Sequence, residues 1–138
     1  MVFHKKIIPI FFLLQSPLAY ACGYCVEDKI AATYDHSVVT QALARSHHVA
    51  YFHVEGNLPA GAAGRQALER AAYGTPGVDA GSVRVSDDGL TLALAYDPVK
   101  APLAALQARI EKKLTARNLS LLPLRIMERP ADLKIVKR

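Results

Sequence analysis

From Val26 to about Arg45 the apolar residues Val26, Ile30, Tyr34, Val38 and Ala42, with Val39 beside them, fall on one stripe of a helix. His47 to Glu55 then changes period. Ala50, Phe52 and Val54 alternate with Val49, Tyr51 and His53, which predicts a strand ending at Gly56. Gly56-Asn57-Leu58-Pro59 is a turn, and Ala60 to Tyr73, rich in Ala with Leu68, Arg and Glu, predicts a helix closed by Gly74-Thr75-Pro76-Gly77. Ser82–Ser86 and Leu90–Tyr96 alternate again around an Asp87-Asp88-Gly89 hairpin turn. Asp97-Pro98 breaks the second of these strands, and Pro102 opens a helix through Leu103, Leu106, Ile110 and Leu114 to about Asn118. Leu119–Met127 contains Pro123, which cannot donate to a ladder, so this last strand belongs at a sheet edge.

After the first helix the order is β-α-β-β-α-β. The expected fold class is therefore α+β: a ferredoxin-like βαββαβ sandwich, an antiparallel sheet with two helices on one face, preceded by one extra N-terminal helix. The opposite face would present Val49, Tyr51, His53, Thr91, Ala93 and Ala95, too apolar to stand in water. The extra helix or a second subunit, giving a homodimer through the outer sheet face, would cover it.

The first residues change the picture of where this domain works. His4, Lys5 and Lys6 precede Ile7-Ile8-Pro9-Ile10-Phe11-Phe12-Leu13-Leu14, and Ala19-Tyr20-Ala21 follows with a small-residue cleavage pattern. This predicts a signal peptide over residues 1–21 and export, most simply to a bacterial periplasm. The remaining chain divides into residues 22–46 with the first helix, a domain over 47–127 and a basic tail over 128–138. Of 138 residues, 51% are hydrophobic and 21% charged, the composition of one globular domain rather than a disordered chain. Net charge is +5, and without Lys5 and Lys6 it is +3. The cations are scattered along the helices and collect only at Arg125, Arg129, Lys134, Lys137 and Arg138. A solvated surface with a frayed tail accounts for them, with an acidic partner or anionic lipid as the alternative. Aromatic and basic residues are not interleaved as nucleic-acid binding would require.

The chemistry rests on Cys22-Gly23-Tyr24-Cys25, which holds both cysteines. Two thiols at this spacing can chelate a soft metal, close a small disulfide or exchange disulfides. Cleavage after Ala21 would leave Cys22 as the first residue, with a free α-amino group, or as a lipid-bearing cysteine, the one route by which the protein would join a membrane. Cys25 is expected at or beside the N-cap of the helix, where the dipole and free N–H groups lower a thiol pKa. Glu27 and Asp28 in the first turn suit the same dipole. A linear two-sulfur site suits Cu(I); Zn(II) needs four ligands, with His36, His47, His48 or His53 as candidate supplements.

Ala50-Tyr51-Phe52-His53-Val54-Glu55-Gly56, Pro76-Gly77-Val78 and Ala95-Tyr96-Asp97-Pro98 together resemble the heavy-metal-associated domain of copper chaperones and metal-transporting ATPases, over about residues 48–126. The resemblance implies a ferredoxin-like fold, copper or zinc as cargo and a metal-handling protein as partner. That family carries Met-x-Cys-x-x-Cys in the loop after its first strand. Here residues 56–64 contain no thiol, so none of its ligands transfers there. Cys-Gly-Tyr-Cys is also similar to the active site of periplasmic disulfide isomerases, in which Cys22 would attack and Cys25 resolve. The expectation is therefore a non-enzymatic metal-binding protein. Its rivals are a thiol–disulfide oxidoreductase and a metal-free partner-binding module with a Cys22–Cys25 disulfide.

Overall fold

The computed structural model describes the backbone of residues 21–135 and the side chains of residues 26–133. The expected leader lies outside the described residues. Helices α1 (Ala21–Thr33) and α2 (His36–Ala44) precede strand β1 (His48–Glu55). Then follow helix α3 (Ala62–Tyr73), strands β2 (Arg84–Val85) and β3 (Thr91–Tyr96), helix α4 (Leu103–Lys113) and strand β4 (Ser120–Met127). The fold is α+β, with one four-stranded sheet ordered β2-β3-β1-β4. Every pairing in it is antiparallel.

The period-2 alternation of β1 divides the interior into two cores. Ala50, Phe52 and Val54 face α3 and α4, packing with Leu68, Leu92, Leu94, Leu106, Ile110 and Leu121. Val49 and Tyr51 face the other way, with Ala93, Ala95 and Met127, against Ile30, Val39, Ala42 and Leu43 of α1 and α2. The apolar outer face is thus covered by the chain's own helices. Self-association through it would require them to leave.

The single helix expected from Val26 to Arg45 is two. The chain breaks at Asp35, whose extended backbone (φ −125°, ψ 110°) caps α2 while its carboxylate accepts from Ser37 N–H at 3.0 Å and Val38 N–H at 3.2 Å. The cap is a local reason for the break, and the apolar stripe continues through it.

Pro123 sits on β4, an edge strand, opposite Phe52, beside a register shift that leaves Leu124 without a partner in the ladder. Gly89 (φ 72°) closes the β2–β3 turn, donating to Ser86 O at 2.9 Å. The segment expected as a free tail is ordered through a 3₁₀ turn, Pro130–Ile135. Asp132 accepts from the Glu128 and Arg129 N–H groups, and Leu133 packs against the outer core.

Candidate functional site

Helix α1 is described from Ala21 onward, so Cys22 and Cys25 lie within it and Cys25 is not an N-cap. Between Ala21 and Cys25 no Ser, Thr, Asp or Asn is present to start the helix later. The two thiols themselves lie outside the described side chains. What the structure does define is how α1 is fixed to the sheet. Arg125 of β4 makes a two-pronged contact with Glu27, with Nη1 3.2 Å from Oε2 and Nη2 on Oε1. That guanidinium holds the Glu27 carboxyl below its ordinary range. Two residues on, Lys29 Nζ is 3.1 Å from His53 Nδ1 on β1.

His53 Nδ1 also lies 3.1 Å from Leu90 O. One nitrogen cannot both accept from an ammonium and donate to a carbonyl, so the two contacts belong to different tautomers. In the form that donates to Leu90 O, Nε2 keeps its lone pair and can act as a metal ligand, with the carbonyl orienting the ring. Nε2 is 3.8 Å from Glu55 Oε1.

The other expected histidines are dispersed. His36 is the exposed first residue of α2, its Nδ1 3.1 Å from Tyr34 OH. His48 opens β1 and packs edge-on against Tyr96, with ring centroids 5.6 Å apart. Five residues of strand, about 17 Å, separate it from His53, so the two cannot share an ion. His47 is held between carboxylates: Nδ1 is 2.8 Å from Asp79 Oδ2, Nε2 is 3.7 Å from Asp97 Oδ2, and Arg45 is 3.6 Å from Asp79. This is a clamp that ties the α2–β1 junction to both flanks of the β2–β3 segment. Nδ1 donates its N–H to the Asp79 carboxylate, and Nε2 is turned toward Asp97 rather than toward an open coordination position. Among the described residues no group of three or more His, Cys, Asp or Glu side chains converges as a metal site.

The loop after β1 forms a small polar recess of about 100 Å³ bounded by Gly56, Pro59, Gly61, Gly64, Arg65 and Asp88. Gly61 caps α3 without a side-chain acceptor, and Arg65 is drawn to Asp87 at 3.1 Å. A cleft of about 340 Å³ opens between α3 and β2, lined by Glu69, Arg70, Tyr73, Gly81, Val83 and Arg84.

Sequence reasoning missed three features. Asp79 and Asp97 were not paired with His47, and Arg125 was assigned to a basic cluster rather than to Glu27, ninety-eight positions away. Tyr51, placed on the outer face, carries a hydroxyl buried beneath α1 and α2 with no hydrogen-bond partner among the described residues. Burial pushes its pKa up from the usual phenol value, with Tyr34 and Asp35 adding to the effect and Arg125 opposing it. Alternation had located the ring, but only the packed helices define the surroundings of its oxygen.

Compared with known proteins, the chain matches no family model, no curated protein and no solved structure.

Proposed function

We propose that this is an exported, non-enzymatic protein that binds a soft metal ion through the thiolates of Cys22 and Cys25, Cu(I) in preference to Zn(II). Its body is read as a ferredoxin-like split βαβ sandwich similar to the heavy-metal-associated domain, with the N-terminal helices added. The element order β1-α3-β2-β3-α4-β4 and the strand order β2-β3-β1-β4 support that reading, because two interlocked βαβ units produce this antiparallel arrangement. The observation that carries the function is the attachment of α1. The cysteine pair sits on a helix clamped to the domain by Glu27–Arg125 rather than on a free leader. Cys25 precedes Lys29 by about 6 Å of helix rise. Of the four histidines, His53 therefore has the best claim to assist, through Nε2.

A two-coordinate thiolate site needs no third ligand for Cu(I), and a metal-handling protein would be its donor or acceptor. The test is competition for Cu(I) against a chromophoric chelator, using reduced, anaerobic protein recovered after export. Cys22→Ser/Cys25→Ser is expected to abolish competition, His53→Asn to weaken it, and His36→Asn and His47→Asn to leave it unchanged. A double serine variant that still competes like the parent overturns the proposal. Turnover of a scrambled disulfide substrate by the parent, lost in the same variant, would assign the pair to thiol exchange instead.

A further inference from the structure

The sheet has two edges, and they are finished differently. Strand β2 is two residues long, and Arg84 Nη1 donates to Val83 O beside it at 2.9 Å, so that edge offers little to a further strand. Strand β4 runs for eight residues and carries two exposed large apolar side chains, Leu122 (43%) and Ile126 (37%). A long edge with free backbone groups is a template for another chain. Which groups of β4 point outward follows from the ladder. Val54 N–H donates to Leu90 O on the β3 side, so in the alternating pattern of an antiparallel sheet its polar groups face away from β4. Leu121, opposite Val54, therefore turns its own N–H and C=O out of the sheet.

Both outward groups are taken by α4. Glu111 Oε1 accepts from Leu121 N–H at 2.8 Å, Gln107 Nε2 donates to Leu121 O at 2.8 Å, and the same amide donates to Glu111 Oε1 at 3.3 Å. Gln107 and Glu111 are one helical turn apart and each follows a buried residue of α4, Leu106 and Ile110, so helical spacing sets both at the border of its buried stripe. One acceptor and one donor, tied to each other, offer Leu121 what a residue of a neighbouring strand would offer. Leu106 and Ile110 already pack with Leu121 in the core, so anchoring α4 does not call for the polar pair. Two residues on, Pro123 has no N–H to present, and Leu124 lies at the register shift. The side-chain pair and the proline close adjacent stretches of the same edge.

We infer that Gln107 and Glu111 stand in for a fifth strand and hold the β4 edge closed to a second copy of this chain. With them gone, two copies related by a two-fold axis pair through β4. Each Leu121 N–H then donates to the C=O of the partner's Leu121, because an antiparallel pair centred on one residue is self-complementary. Leu122 comes to lie across from the partner's Ser120. The two new strand hydrogen bonds are worth about tenfold in dimer affinity.

The test is sedimentation equilibrium of the exported protein, kept reduced so that thiols do not cross-link copies. Gln107→Ala/Glu111→Ala should self-associate about tenfold more tightly than the parent. Its Leu121 N–H, slow to exchange with solvent in the parent, should exchange fast in dilute solution. Glu111→Gln keeps an acceptor at Oε1 and should behave as the parent does. Adding Leu122→Lys to the double variant puts a cation on the strand and should restore the parent's behaviour. Val99→Lys, the same charge on a 93% exposed side chain outside the sheet, should not. Each single alanine variant opens half of the contact and should fall between parent and double variant, which keeps the test decisive where circular dichroism finds the double variant unfolded. Three results would overturn the inference. One is association no tighter in any alanine variant than in the parent. Another is Glu111→Gln associating as the double variant does. The third is equal rescue by Leu122→Lys and Val99→Lys, the sign of aggregation that does not use β4.

Discussion

Replacing Tyr51 with Phe should make the protein more stable. The hydroxyl is buried under α1 and α2 without a hydrogen-bond partner among the described residues, whereas in the unfolded chain water satisfies it. Leaving such a group unpaired costs about 1–3 kcal/mol. Phenylalanine fills the same site between Val49, Ala93, Ile30 and Val39. The vacated oxygen volume, roughly 15–20 Å³, returns only about 0.4 kcal/mol at the usual cavity cost. A net gain of about 1–2 kcal/mol follows, which moves a urea midpoint upward by roughly 0.5–1 M. The pH dependence gives an independent check. Burial raises the Tyr51 pKa above the ordinary value near 10, so at high pH the unfolded chain loses this proton while the folded chain keeps it. The unfolded state then binds fewer protons, and the stability of the parent falls as pH rises from about 10 toward the raised folded pKa. Tyr51→Phe lacks that loss, so its advantage should widen above pH 10 by up to about 1.4 kcal/mol per pH unit. Urea titrations followed by circular dichroism at pH 7 and pH 10.5 measure both quantities. A variant less stable than the parent by about 1 kcal/mol or more, or an advantage that does not grow with pH, would refute the reasoning.

The remaining predictions concern the elements around the site. Asp35→Ala removes the α2 cap and should cost about 1 kcal/mol, plus a few tenths for the half-exposed Arg84 pair; Asp35→Asn should keep most of the cap. Val38 N–H first and Arg84 second hold the Asp35 carboxyl below its ordinary pKa, so its contribution is present above about pH 4 and is lost as pH falls through the folded value. Equal stability losses for the Asn and Ala variants in urea would show that the cap is not the source. Gly64→Ala would set a Cβ 2.0 Å from Pro59 O, and the loop must shift, at about 1–3 kcal/mol in a thermal melt. An unchanged melting temperature would mean that the loop after β1 is not held as described.

Much of the fold was legible because it is local. The alternation in His48–Glu55 and Thr91–Tyr96, the Asp-Asp-Gly turn and Pro123 on the last strand each depend on a few adjacent residues, and these strands lie within a residue of their expected places, whereas α4 ends at Lys113, short of the expected Asn118. Alternation also indicated that the sheet would be apolar on both faces. The candidate site was legible only as residue types. The Cys pair and the histidines could be listed, but which histidine points where depends on partners such as Lys29 for His53 and Asp79 for His47, twenty-four and thirty-two positions away.

Period by itself determined which side of each element is apolar, and turn chemistry determined where elements stop. Only the tertiary structure decided what lies against those apolar sides. It folded α1 and α2 over the outer sheet face, where Ile30, Val39, Ala42 and Leu43 bury Val49, Tyr51, Ala93 and Ala95. It left the Tyr51 hydroxyl beneath them without a partner among the described residues. It also paired Arg45, Arg84 and Arg125 with carboxylates from distant segments, because ion pairs follow distance in space rather than spacing along the chain.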